Sequence, residues 1–311
     1  MMNLKPIKNI LKNPLMILYF MDRIRVIRLP DKLYLQLMYK YELDLDLNIK
    51  VPQSFNAKLQ WLKLYDRNPK YTKMVDKYEA KKYVSNIIGE EYIIPTLGIY
   101  NKFEDINFNE LPNQFVIKCT HDSGGLFIVK DKTNFDINKA RKIICKSLKR
   151  NYYYYGREWP YKNVKPRIII EKYIEDTKQK DLRDYKFFCF NGEPKLMYLS
   201  EGLENHATAS MSFYDMNFKL TDCKRRDYKQ LNYIPEKPKT FEQMKDFSRR
   251  LSKGIPHLRV DFYEIDGHLY FGELTFSTCA GFILFEDDKW NYKLGDMLEL
   301  PNEKIEEEKE K

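Results

Sequence analysis

With 311 residues, 43% hydrophobic and 32% charged, the chain has the composition of a soluble globular protein of one large domain or two modest ones, and not of a membrane-embedded or disordered one. The formal charge of +9 suits anionic partners such as nucleotides, sugar phosphates or lipid headgroups, but no basic run makes a nucleic-acid footprint. Five cysteines without CxxC spacing, an odd count and no signal peptide exclude a disulfide framework and point to buried thiols in a reducing, cytoplasmic setting.

In chain order, residues 1–70 read as helix-rich. The apolar run from Pro14 to Met21 is too short to cross a bilayer. Residues 10–27 have the pattern of a basic amphipathic helix, either touching the inner face of a membrane or packed on the domain. Residues 51–56 form a loop before a helix around Trp61. A helix is predicted over 76–88, ended by Gly89. Residues 92–95 start an extended segment. Short strands at 115–118 and 126–129 flank a polar loop, His121-Asp122-Ser123-Gly124-Gly125. A helix follows over 136–150. The aromatic segment 151–167, with Tyr152, Tyr153, Tyr154, Tyr155, Trp159 and Tyr161, is a structured loop packed on the domain or a set of rings for stacking on sugars. Strands are predicted at 167–171 and 185–190. Asn191-Gly192 turns the latter back into 194–199. Residues 241–253 are helical. The charged tail 301–311 lacks apolar anchors and reads as disordered. The fold class is α+β with mostly antiparallel sheets.

The most informative stretch is Arg259-Val260-Asp261-Phe262, followed across Asp266-Gly267 by Gly272-Glu273-Leu274-Thr275. Asp-Gly between alternating segments signals a hairpin. If Asp261 lies opposite Glu273, one face carries Arg259, Asp261, Glu273 and Thr275, while Val260, Phe262 and Leu274 turn to the core. A strict two-residue turn would pair 261 with 272, so this register needs an odd-length loop or a bulge. Like charges directly opposite repel. Something positive must sit between them, and Mg²⁺ bound to carboxylates and substrate phosphates is a common solution. Removing either carboxylate should then relieve repulsion. The alternative is an ordinary solvated hairpin face.

Four segments in fixed order carry a resemblance: Val75-Asp76-Lys77; Val116-Ile117-Lys118 with the Ser123-Gly124-Gly125 loop; Ile169-Ile170-Glu171-Lys172-Tyr173-Ile174; and Arg259-Val260-Asp261 with Glu273-Leu274-Thr275. This set resembles the ATP-grasp superfamily over roughly residues 70–300. Asp184-Tyr185-Lys186-Phe187 and Gly272-Glu273-Leu274-Thr275-Phe276 look most like the TupA-like family of teichuronopeptide biosynthesis. The resemblance implies two mostly antiparallel sheets clamping ATP. It implies a helix-rich N-terminal region (1–70) and a catalytic region (71–300), the latter with a nucleotide-clamp subdomain at about 106–175 and a metal-site subdomain at about 176–300.

It further implies that Lys77 and Lys118 touch ATP phosphates and that Ser123, Gly124 and Gly125 close over the triphosphate. Glu171, Lys172, Tyr173 and Ile174 would form the linker at adenine. Arg259 would steady the transferring phosphoryl group, and Asp261, Glu273 and Thr275 would bind Mg²⁺. Thr275 departs from the asparagine usual in the superfamily, and the glycine that follows there is displaced to Gly281. Read alone, Lys77 is an exposed helix lysine, the glycine loop a plain turn, and Glu171 to Ile174 a strand leaving the core. Asp184, Tyr185 and Lys186 face substrate or nucleotide, or form a charged strand edge. His121 donates to a phosphate or lies on the surface.

The implied activity is a carboxylate–amine ligase acting through an acyl phosphate in cell-surface polysaccharide assembly, with carboxylate and amine substrates. A glycosyltransferase, a kinase acting on a glycan hydroxyl and a non-catalytic glycan-binding module are the rivals. The first would need an alternating βα series, which the pattern lacks.

Overall fold

A computed structural model describes residues 13–176, 182–202 and 209–302. The first part of the expected N-terminal amphipathic helix and most of the expected disordered tail lie outside these residues. Among the described residues no helix is long and apolar enough to cross a membrane.

Three helices come first: α1 (Met16–Arg23), α2 (Asp31–Leu43) and α3 (Phe55–Tyr65). Ser54 caps α3 by accepting a hydrogen bond from the Ala57 amide. Then follow α4 (Lys70–Val75), α5 (Glu79–Ile88) and β1 (Thr96–Tyr100). The helix predicted from residue 76 begins three residues later. The Asp76 carboxylate accepts from the Tyr78 and Glu79 amides, so it serves as a cap and leaves Lys77 in the joint between two helices.

The first sheet adds β2 (Phe115–Cys119), β3 (Leu126–Val129) and β4 (Ile168–Lys172), in the order β1-β4-β2-β3 and antiparallel throughout. Period-two alternation divides its faces. Phe115, Ile117, Cys119, Ile168 and Ile170 form a core with Ala140 and Ile144 of α6 (Ile137–Leu148). Val116, Lys118 and Glu171 take the other face and line an open cleft.

After the short α7 (Tyr153–Gly156), the second sheet runs β7-β6-β5-β8-β9, from β5 (Asp184–Phe190), β6 (Glu193–Glu201), β7 (Ser210–Tyr214), β8 (His257–Ile265) and β9 (His268–Thr275). Asn191-Gly192 and Asp266-Gly267 each close a two-residue turn with positive φ at both positions, as expected for a right-twisted hairpin. Tyr185, Phe187, Val260, Phe262 and Leu274 pack against α8 (Phe241–Ser252) through Phe241, Met244 and Leu251. On the opposite face, Phe188, Phe190, Leu196 and Tyr198 share a core with Tyr34, Leu35 and Phe55 of the N-terminal helices and Trp290 of α9 (Lys289–Met297). Strand β7 and helix α9 have no counterpart in the sequence reading.

The aromatic segment is a structured loop. Its Arg157, 1% exposed and at φ +54°, pairs with Asp22 (2.8 Å) and Asp31 (3.2 Å) and lies 4.0 Å from the Tyr34 ring centre. The loop is thereby tied to α1 and α2. Cys119, Cys189 and Cys223 are buried as expected, whereas Cys279 is exposed on the turn after β9.

Candidate active site

The β8–β9 hairpin adopts the register that places its charges together. Asp261 pairs with Glu273 and Arg259 with Thr275, whereas Phe262 pairs with Phe271. Gly272 is the extra residue, a bulge inserted between the pairs. Beyond it Glu273 and Thr275 share a face with Arg259 and Asp261, and Val260, Phe262 and Leu274 are buried on the other side. Strand β5 extends the row, since Lys186 lies opposite Asp261.

Protein cations occupy the space between these carboxylates. Arg259 grips both Asp261 oxygens, Nε to Oδ1 and Nη2 to Oδ2, each at 2.7 Å, and its Nη2 lies 3.7 Å from Glu273. Lys186 donates to Asp261 at 2.8 Å and also to Asp184. Burial raises the Asp261 pKa, but Arg259 and Lys186 outweigh it and hold the carboxyl below its usual range. Burial and the Asp261 charge push Asp184 up to about 6, against the pull of Lys186. Asp261 is thus the counter-ion of two buried cations, and the expectation that removing its charge relieves repulsion does not hold. Glu273 differs, with its side chain 38% exposed toward the cleft.

The cleft between the sheets holds two adjoining cavities. The first, about 230 Å³, is lined by Lys77, Lys81, Lys118, Ser123, Gly125 and Glu273, among others. The second, about 380 Å³, has Val116, Ile128, Tyr173 and Ile174 on its walls, with Lys172 and Asp184 at its rim. One end gathers the ammonium groups of Lys77, Lys81 and Lys118 beside Glu171 and Glu273, whereas the other mixes apolar walls with charged groups, Lys130, Glu175 and Asp176 among them. Glu171 stands between them. Burial works against its charge, but Lys118 at 2.6 Å and Lys81 hold its pKa at about 2. Lys81 is missing from the sequence reading; its place one helical turn after Lys77 was the available signal.

The glycine loop differs from expectation in detail. The Gly125 amide donates to Asp122 Oδ1 at 3.0 Å, and a Cβ there would lie 2.5 Å from Ser147 Oγ and 2.6 Å from Cys119 Sγ. Close packing requires this glycine, and its amide is not free for a phosphate. A Cβ at Gly124 would meet only ordinary contacts, Arg150 Nη1 at 3.8 Å and Asp122 Oδ2 at 3.9 Å. Ser123 donates to the Tyr152 hydroxyl at 3.1 Å. His121 is neither phosphate donor nor surface residue: it is buried, with Nε2 3.2 Å from the Ser147 carbonyl. The Lys172 amide donates to the Pro95 carbonyl at 3.0 Å within the sheet, so only Tyr173 and Ile174 of the linker have left the strand. Gly281, at φ +73°, packs on α3, where a Cβ would lie 2.3 Å from Gln60 Nε2.

A third cavity of about 440 Å³ opens beside the lysine end, with Arg259, Glu273, Thr275, Ser123, Tyr152 and Glu158 on its walls. Burial and the Glu273 charge raise Glu158 to about 7 against the opposing pull of Lys63. The Lys63 ammonium is itself buried and donates to the Gly156 and Ala280 carbonyls at 2.7 and 2.6 Å. Glu158, between Arg157 and Trp159 in an aromatic loop, carries no sequence signal of this placement.

The oxygen donors Asp261, Glu273 and Thr275 suit a hard cation. Thr275 Oγ1 is buried and has no hydrogen-bond partner among the described residues. The described residues contain no cluster of three or more His, Cys, Asp or Glu able to hold a metal, and both Asp261 oxygens already accept from Arg259 or Lys186, so Asp261 could serve a cation only by sharing them, beside Glu273 and Thr275.

No curated protein matches the chain. Among solved structures, the D-alanine–D-alanine ligase of Bacillus anthracis is 22% identical, with a TM-score of 0.39 over 65% of this chain and 56% of its own. The Helicobacter pylori D-alanine–D-alanine ligase is 16% identical, with a TM-score of 0.41 over 73% and 61%. The ATP-grasp ligase PsnB, complexed with a phosphomimetic precursor variant, Mg and ADP, is 12% identical, with a TM-score of 0.41 over 71% and 57%. The chain therefore spans less than two thirds of each of these proteins. The sequence model described as TupA-like ATPgrasp matches residues 57–299, which take in both sheets, the cleft between them and the charged hairpin, and the chain belongs to that family.

Proposed function

We propose that this protein is an ATP- and Mg²⁺-dependent carboxylate–amine ligase, working through an acyl phosphate in cell-surface polysaccharide biosynthesis on the cytoplasmic side of the membrane. The observation that carries the reading is the cleft, which gathers Lys77, Lys81 and Lys118 at the end that meets the Arg259, Asp261, Glu273 and Thr275 face. Adenine takes the other end, beside Val116, Ile128, Tyr173 and Ile174. Lys77 and Lys118, with Lys81, hold the phosphates as point charges.

Asp261, Glu273 and Thr275 would hold Mg²⁺. The chemistry it supplies when bound is neutralisation of charge on the β- and γ-phosphates. Arg259 steadies the transferring group. A substrate carboxylate oxygen in the third cavity attacks the γ-phosphorus, and the bond to the β-phosphate oxygen breaks to release ADP. An amine then attacks the acyl carbon, phosphate leaves, and the amine proton passes to Glu158. No nucleophilic side chain is needed, because positioning and electrostatics do the work.

Contact with the inner face of the membrane belongs to the same proposal. Segment 15–28 exposes Leu15, Ile17, Ile24 and Val26 among arginines, the composition of a surface-lying segment. Sedimentation with anionic vesicles checks this part. For the reaction, ATP with Mg²⁺ should raise the melting temperature more than nucleotide sugars do. The reverse order would favour a glycosyltransferase. Mass analysis of the ATP-dependent product then decides between an amide, as proposed, and a phosphate ester, which would make the protein a kinase.

A further inference from the structure

The third cavity carries more negative charge than the proposed reaction uses. Three carboxylates line it, Glu42 of α2, Glu158 and Glu273, against one cation, Arg259. That cation is committed: it grips both Asp261 oxygens at 2.7 Å, and its Nη1 lies 3.4 Å from Thr278 Oγ1. Glu273 is the carboxylate assigned to Mg²⁺. Glu42 and Glu158 remain.

Glu158 is 5% exposed, and its carboxylate makes no hydrogen bond among the described residues. Lys63 acts on it only through space. The ammonium of Lys63 has three protons to give, and Gln60 Oε1, the Gly156 carbonyl and the Ala280 carbonyl take them at 2.9, 2.7 and 2.6 Å. None is left for Glu158. A buried carboxylate without a donor is costly, and a donor that arrives with a ligand removes the cost. Glu158 Oε1 lies beside Ala280, the two being 3.5 and 3.0 Å from the Cβ position of Gly156, and Ala280 is part of the cavity wall.

Glu42, in the last turn of α2, is half-buried and likewise makes no hydrogen bond or ion pair among the described residues. Arg23 donates to the Tyr19 hydroxyl at 3.1 Å instead. Met38, one turn before Glu42, joins Tyr155 and Phe282 in the wall, a surface for methylene groups whose rings also attract an ammonium. Glu42 lies before residue 57, where the family match begins, so it is no part of the family pattern.

We propose that the amine acceptor carries two amino groups and enters this cavity as a cation. The reacting amine bonds to Glu158, and the second, as an ammonium, pairs with Glu42, which thereby selects the substrate. An α-amino acid is disfavoured, because its carboxylate would meet carboxylates and no free cation. The word acceptor rests on the ligase reading; the diamine site rests on the cavity alone.

Ligand-observed NMR titration of the full chain tests it, with 1,4-diaminobutane as probe and butylamine and 4-aminobutanoate as controls. The diamine should bind about tenfold or more tighter than butylamine, and 4-aminobutanoate should not bind. Glu42→Gln should bring the diamine down to the affinity of butylamine and leave butylamine unchanged. The melting shift produced by ATP with Mg²⁺ should be the same in the variant. Equal binding of 4-aminobutanoate, or undiminished binding of the diamine by the variant, would overturn the proposal. So would displacement of the diamine by magnesium chloride but not by sodium chloride of equal ionic strength, which would make the carboxylates a metal site. An intact ATP response without diamine binding removes this proposal alone. Diamine binding without an ATP response removes the ligase reading and leaves the cation site standing.

Discussion

Glu171 shows how a single residue can set the electrostatics of the cleft. Its carboxylate is the shared partner of Lys81 and Lys118, and its pKa is held at about 2 instead of the usual 4.5. A carboxyl depressed in the folded state adds stability above its unfolded pKa and loses that contribution as pH falls through the folded value. The difference in unfolding free energy between the native protein and Glu171→Gln should therefore shrink as pH drops from about 4.5 to about 2. The loss should be about 3 kcal/mol, at roughly 1.4 kcal/mol per pKa unit. Chemical denaturation at several pH values measures it, and a pH-independent difference would deny the ion pairs. The site carboxylates should respond unequally. Glu273→Gln should abolish most turnover with little change in melting temperature, since its side chain is half-exposed and only loosely paired with Arg259. Asp261→Asn should lower both, by about 3–5 kcal/mol in stability, because Arg259 and Lys186 lose a buried partner.

At the scale of elements, the hairpin was legible before the structure, for two reasons that act locally. Asp266-Gly267 specifies the turn, and alternation specifies the faces. The bulge followed from requiring Asp261 and Glu273 to meet, and Gly272 provides it. Replacing Gly272 with valine should disfavour the bulge, since a Cβ there would lie 3.1 Å from the Asp261 carbonyl oxygen, and regular pairing of 261 with 272 would send Glu273 and Thr275 to the opposite face. ATP binding should then lose its dependence on Mg²⁺ while the strands still pair; circular dichroism and nucleotide titration read the two separately. If Mg²⁺ dependence survived, the metal assignment would fall.

What the sequence hid lies in tertiary contacts. His121 reads as a loop residue because its neighbours are polar, yet Asp122 and Ser147 bond to each other and draw the loop inward. Gly125 reads as a phosphate-binding glycine but is fixed by Cys119 and Ser147, residues set on different elements. Strand β7 escaped notice although Asp215, whose carboxylate accepts from the Asn217 and Lys219 amides, supplies a turn signal beside it, because the alternation Ser210-Met211-Ser212-Phe213 is too short to stand out. Glu158 acquires meaning only through Lys63 and Glu273, partners far along the chain.

Across the whole molecule, the N-terminal helices share their core with the second sheet, and Arg157 is the polar link that accompanies it. Arg157→Ala would leave Asp22 buried without its counter-ion. A cost of about 3–5 kcal/mol is expected, with little direct effect on the nucleotide cleft. Thermal melting together with ATP titration would show it; a melting temperature unchanged from the native protein would mean that the pair is dispensable.

The same arginine has a consequence for how the chain opens. Its loop lies within the matched residues 57–299, while its partners Asp22 and Asp31 lie before them. Hydrogen exchange should report α1, α2 and the 151–161 loop opening as one cooperative unit. A truncation at residue 57 would strand a guanidinium in an apolar setting and bare the aromatic face of β5 and β6. The boundary at which the family ceases to be recognisable is therefore not a boundary at which this protein can be cut.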